Sequence, residues 1–304
     1  MTRRGWAIFI ALSLIWGVPY LMIKVAVAEI DPVVVACGRT GLGALILLPV
    51  ALHRRALRPV LARWRWLLLY TVIEIVGPWW ALGHAETRLT SSTAGLLLAV
   101  VPLFAAVILV STGHDRFDGR RLLGLFIGLI GVITLVGLDV HFDDLASVGA
   151  VMVTALGYAI GPIIINRKLA DLPPMGVITG SLIVATVIFA PFAVWLRPSS
   201  FSAAAGWSVA GLAVLCTALA FLLLFALIAE VGPARATVIT YINPAVAITL
   251  GVLILNEKFT VGIAIGFPLV ILGSVLATAK TRTPTARTAG RQPASDPLEE
   301  PIAH

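Results

Sequence analysis

The chain has 304 residues, 59% of them hydrophobic and 12% charged, with a mean hydropathy of +1.01. Soluble domains carry about 25% charged residues, so this chain lacks the polar surface of a water-soluble enzyme and is too apolar for a disordered chain. The net charge of +7 forms no basic stripe interleaved with aromatics, which argues against a nucleic-acid partner.

A membrane-spanning helix needs about 20 mainly apolar residues. Charges, prolines and glycines divide the chain into ten such segments: 6–28, 32–52, 66–85, 89–112, 121–138, 146–166, 174–196, 206–229, 233–255 and 260–279. The first is longer than the apolar region of a signal peptide, so it reads as a retained span. The tail 280–304 contains Pro284, Pro293, Pro297 and Pro301 with few bulky apolar residues, the composition of a disordered segment. Cys37 and Cys216 lie inside apolar runs and read as small buried hydrophobes.

Lys and Arg distribute unevenly between the two sets of connections. With the N-terminus in the cytoplasm, seventeen fall on the inner side, while Arg88, Arg197 and Lys258 fall outside. Lys24 and Arg39 fall within spans. The positive-inside rule therefore predicts cytoplasmic termini. The Arg- and Ala-rich composition points to a bacterial plasma (inner) membrane.

The chain also matches itself at an offset of 142 residues. Pro32, Gly38 and Pro49 fall on Pro174, Gly180 and Pro191. Pro102, Phe117, Gly124 and Gly131 fall on Pro244, Phe259, Gly266 and Gly273. Trp16 falls on Tyr158, and Asp115 on Glu257. The predicted fold is an all-α integral membrane protein of ten transmembrane helices in two inverted five-helix repeats, 5–138 and 146–279, followed by a cytoplasmic tail. Five is odd, so the second repeat enters the membrane from the opposite side, an architecture of secondary transporters.

Trp16-Gly17, Arg39, and the stretch Gly232-Pro233-Ala234-Arg235-Ala236 followed by Asn243-Pro244 and Asn256-Glu257-Lys258-Phe259 carry a resemblance. They resemble the EamA-like branch of the drug/metabolite transporter superfamily over about residues 5–279. The resemblance implies ten helices around a central cavity and carrier-type movement of a small solute. Asn256 stands where that signature has glycine, and His114-Asp115 replaces Gly-Glu in the first half.

Several residues are candidates for chemistry. Glu74 lies about eight residues into span 3, roughly 12 Å from the inner edge, where an ionised carboxylate is costly. It reads as a proton or cation site, or as a buried partner of a base. Arg39 is its candidate partner, and a structural ion pair and a clamp on a substrate carboxylate are both open readings. Trp16, Trp79, Tyr158, Tyr241 and Asn243 are candidate cavity residues. Pro78, Pro102 and Pro244 each remove a backbone donor and are candidate helix breaks or hinges. Lys24 reads as a side chain snorkelling to the interface, or as a binding residue. His84, Glu86 and Arg88 read as a solvated rim, or as a gate or proton entry. The Gly124/Gly128 and Gly262/Gly266 pairs allow close helix approach, joining the halves or two copies in a homodimer.

These features predict a secondary transporter, exporting or exchanging a small metabolite or amphipathic compound by alternating access, with proton coupling through Glu74. No cofactor or metal is expected and the chain is not read as an enzyme, since neither HExxH nor a Walker motif occurs. The alternatives are a non-transporting membrane scaffold or sensor and, more remotely, a membrane-embedded enzyme.

Overall fold

The computed structural model describes residues 2–112, 119–231 and 237–278. His114, Asp115, Phe117, the stretch 232–236 and the tail 280–304, all used above, lie outside the described residues. Within them the structure is helical, with no strand. Nine helices among the described residues are long and apolar enough to cross a membrane. They are span 1 (Arg3–Val27), span 2 (Pro32–His53), span 3 (Trp64–Glu86), span 4 (Ser91–Ser111), span 5 (Gly119–Asp139), span 6 (Phe142–Leu169), span 7 (Pro174–Trp195), span 8 (Ala203–Val231) and span 10 (Val261–Thr278). A shorter apolar helix, Ile239–Ile254, takes the place of span 9. The chain is thus an all-α, multi-pass membrane protein of two inverted five-helix repeats. Large apolar side chains such as Phe126, Ile133 and Val187 stand exposed, as lipid-facing surfaces require.

Below, the end of the bundle that carries Thr2 is the near end, and the opposite one the far end. Helix starts are capped locally. Asp31 accepts from the Val33 N–H (2.8 Å), Thr90 from Thr93 N–H (3.1 Å) and Ser202 from Ala205 N–H (3.2 Å), each satisfying a donor that the helix leaves orphaned.

Helix pairing follows the repeat. Span 5 packs on span 10, span 2 on span 7 and span 4 on span 9, while spans 1 and 8 and spans 3 and 6 form two further extensive contacts. An in-plane pseudo-twofold axis maps the first three pairs onto themselves and exchanges the last two. The tightest seam is glycine-built. A Cβ at Gly273 would stand 2.6 Å from the Gly124 carbonyl oxygen, and one at Gly131 2.8 Å from the Val270 nitrogen. Of the two uses the sequence allowed for Gly124, Gly128 and Gly266, the fold shows the joining of one chain's halves.

Most of the helix breaks stand beside a proline, which lacks a backbone donor. Span 1, expected as continuous, is interrupted at Trp16–Val18 ahead of Pro19, which cannot donate to the Ile15 carbonyl. Gly17 there lies against Val246 and the Asn243 carbonyl oxygen, an approach that a side chain would block. Span 3 contains a π segment, Val72–Val76, immediately before Gly77-Pro78, and span 8 contains one at Val214–Leu219. The 142-residue offset superimposes these two segments. Pro102 follows a 3-10 turn (Leu98–Val100), and Pro244 follows another (Thr237–Tyr241), so these two breaks are also repeat mates.

A candidate substrate site at the centre of the bundle

Arg39 faces inward from span 2 and keeps 8% of its exposure. Its guanidinium carbon lies 3.6 Å from the ring centroid of Trp79 on span 3, a cation–π contact. Its Nε donates to Thr217 Oγ1 at 3.0 Å, and Thr217 belongs to the π segment of span 8. Tyr20, Tyr158, Cys216 and Glu86 stand within electrostatic reach. Spans 1, 2, 3, 6 and 8 therefore converge on one guanidinium.

Glu74 lies in the π segment of span 3. Pro78, four residues on, lacks the N–H that the Glu74 carbonyl would accept in an α-helix. The extra residue of the π turn absorbs that gap, and π turns frequently occur at functional sites. The Thr154 hydroxyl of span 6 donates to the Pro78 carbonyl at 3.2 Å. Gly157 and Gly161 on span 6 leave the room: a Cβ at Gly157 would strike the Ile73 carbonyl, and one at Gly161 the Glu74 carboxyl. Glu74 Oε2 is buried with no hydrogen-bond partner, and Tyr70 and Tyr158 lie within its electrostatic reach.

The candidate ion pair between Arg39 and Glu74 is not formed. The two side-chain ion pairs among the described residues, Arg63 with Asp171 and Arg88 with Asp144, lie at the helix ends. Arg39 instead uses an aromatic face and a hydroxyl.

The other candidates divide into two groups. Trp79 and Tyr158 join Arg39, and Trp16 reaches the same region through an edge-on contact with Phe221 (centroids 6.1 Å apart), which packs on the cluster holding Trp79. Tyr241 and Asn243 lie elsewhere. The Tyr241 hydroxyl is 2.6 Å from Thr278 Oγ1 at the near end. The Asn243 amide, with its nitrogen toward the Ile239 and Ser13 carbonyls (3.0 and 3.2 Å), ties span 9 to span 1.

At the far end the solvated-rim reading holds for His84 and Arg88 but not for Glu86. His84 is exposed, Arg88 reaches Asp144 Oδ1 at 3.5 Å, and Glu86 is completely buried, with neither carboxylate oxygen hydrogen-bonded. Lys24 does not snorkel freely. Its Nζ donates to the carbonyls of Glu86 (2.6 Å) and Leu89 (2.8 Å), a cation at a helix C-terminus. The site residues that sequence reasoning missed are Tyr20 and Thr217, which carry no signal in an apolar run beyond their polarity.

With this geometry in view, comparison with known proteins decides the family. The sequence profile described as "EamA-like transporter family" matches twice, at residues 3–137 and 145–279. The chain belongs to the EamA-like transporter family. The "Uncharacterized transporter YoaV" of Bacillus subtilis (strain 168) is similar at 22% identity, over 88% of this chain and 94% of its own length. The "Uncharacterized inner membrane transporter YedA" of Escherichia coli (strain K12) is similar at 26% identity over 79% of each chain. A solved crystal structure, 18% identical, superimposes with a TM-score of 0.65 over 90% of this chain and 96% of its own, which supports the fold. Asn256 stands at φ 55°, a left-handed position that asparagine tolerates better than most residues.

Proposed function

We propose that this EamA-like protein is a secondary transporter, an exporter or exchanger, that moves a small metabolite or amphipathic compound by alternating access through the centre of the bundle. One observation carries the reading. A buried guanidinium without a carboxylate partner and a carboxylate oxygen without a donor share the centre of an inverted-repeat bundle. Unpaired polar groups at membrane depth are costly unless a ligand or proton completes them. The Arg39 guanidinium supplies donors and Thr217 positions it, Trp79 and Tyr158 supply aromatic surface, and Glu74 supplies a proton site. The helix breaks at Pro78, Pro102 and Pro244 are the hinges, arranged so that the two repeats can exchange conformations. The near end, with its excess of Lys and Arg, is cytoplasmic, and the bilayer is the inner membrane.

The test compares metabolites in medium and cells for wild type and Glu74→Gln at matched membrane expression. A compound moved by the wild type and not by the variant names a substrate and places Glu74 in the coupling step. Equal movement by both retains the carrier and reduces Glu74 to a packing group. A medium and cell content unchanged from cells without the protein, across substrate libraries in reconstituted vesicles as well, overturns transport and favours the scaffold reading.

A further inference from the structure

Glu86 ends span 3, 12 residues beyond Glu74, about 18 Å further along the helix. Five charged or titratable groups face it from the surrounding elements. They are Tyr20 and Lys24 from span 1, Arg39 from span 2, Tyr158 from span 6, and Glu257 from the connection between spans 9 and 10. None of their side chains makes a hydrogen bond or ion pair to the Glu86 carboxyl, which is 0% exposed.

Its neighbours are committed elsewhere. Lys24 gives two donors to the backbone carbonyls of Glu86 and Leu89. Arg39 is spent on Thr217 and Trp79. Glu257 accepts from the N–H groups of Ser91 (2.7 Å) and Ser92 (3.0 Å) at the start of span 4, and from the Ser92 hydroxyl. Glu257 has its three donors at a helix N-terminus. Glu86, buried with no side-chain donor, is the one for which the neutral form is the less costly.

We propose that Glu86 is a proton-binding site that locks the far end of the bundle shut, giving up its proton only when that end opens to water. In the closed arrangement the neutral carboxyl sits beside the seam where span 1, the end of span 3, the start of span 4 and the connection after span 9 meet. Opening hydrates the carboxyl, the proton leaves to water, and the freed carboxylate draws Lys24 off the span 3 carbonyls. The repeat mates of Glu86 and Lys24 are Ile228 and Asn166, so the near end has no equivalent. The proton therefore acts on one end of the transport cycle. Its use in transport rests on the carrier reading above, whereas the proton site itself does not.

Infrared spectroscopy separates the two. In the Glu74→Gln background, full-length protein at pH 7 is expected to show the carbonyl stretch of a protonated carboxylic acid. The band is expected to shift in D2O and to vanish when Glu86→Gln is added. A folded, monodisperse Glu74→Gln protein without that band at pH 7 overturns the proposal, whether or not the double variant folds. A band that survives Glu86→Gln overturns it equally. Transport is the second arm, with any substrate found above in reconstituted vesicles. Glu86→Gln is expected to flatten the dependence of uptake on the pH facing the far end by about tenfold across pH 6–8. An unchanged pH profile with the band present overturns the lock and leaves the carrier intact.

Discussion

Spans 3 and 8 are built alike and equipped differently. Both carry a π segment at the same place in the repeat, Val72–Val76 and Val214–Leu219, and both set an aromatic pair across the bundle: Trp79 beside Tyr158, and Phe221 edge-on to Trp16. Yet Glu74 has Cys216 as its mate, Glu86 has Ile228, and Arg39 on the neighbouring span has Ser181. These two π segments obey the pseudo-twofold axis, whereas the break in span 1 and the π segment Ile165–Leu169 in span 6 have regular helix at their mates. The charges disobey it. All three ionisable residues of this set belong to the first repeat, while the second contributes the Thr217 hydroxyl and the small residues that admit Glu74. Symmetry supplies the motion, and asymmetry supplies the chemistry.

The comparison can be broken most drastically at the seam both halves share. Gly273→Leu forces side-chain atoms into the Gly124 backbone and is expected to cost about 3 kcal/mol, the upper end of over-packing penalties. The check is the fraction of protein that stays monodisperse after heating in detergent.

Truncating the mates Arg39 and Ser181 sharpens the contrast. Arg39→Ala removes the contact with Trp79, worth about 2 kcal/mol when desolvated. Transport is expected to fall about thirtyfold, as that energy implies, with a change in Trp79 fluorescence. Ser181 Oγ is buried without a partner, so Ser181→Ala is expected to leave transport within about twofold.

The smallest effect lies at the helix ends. Glu29, at the far end, accepts from the Ser202 N–H (2.7 Å) and hydroxyl (2.6 Å). Its repeat mate Asp171, at the near end, accepts two bonds from Arg63 (2.6 and 2.7 Å). The hydrogen bonds from Ser202 hold the Glu29 carboxyl below the usual carboxylate range. A carboxyl lowered on folding stabilises above its unfolded pKa and loses that contribution as pH falls through the folded value. Melting of wild type and Glu29→Gln is therefore expected to differ slightly at neutral pH and to converge in acid. A difference that grows below about pH 4 contradicts the hydrogen-bonding role.

Much of this was legible from residues alone. Hydropathy placed the spans, because a lipid solvent demands long apolar helices whose backbone bonds are internal. The offset of Pro102 from Pro244 and of Gly131 from Gly273 announced the repeat, because prolines and glycines mark backbone breaks and close approaches that both halves must share. Arg39, Glu74 and Trp79 were recognisable as polar or amphipathic groups at depth. Tertiary structure alone decided their partners. Arg39 and Glu74 sit at compatible heights, but helix rotation turns Arg39 onto Trp79 and Thr217 and leaves Glu74 against Gly161. Glu86 resembled a rim residue by position in the chain and proved completely buried, because Lys24 and the connection carrying Glu257 close over that end. Depth along a helix is set by counting residues. Which side of the helix meets which neighbour depends on the packing of distant spans, and that decided which charges pair and which stay free.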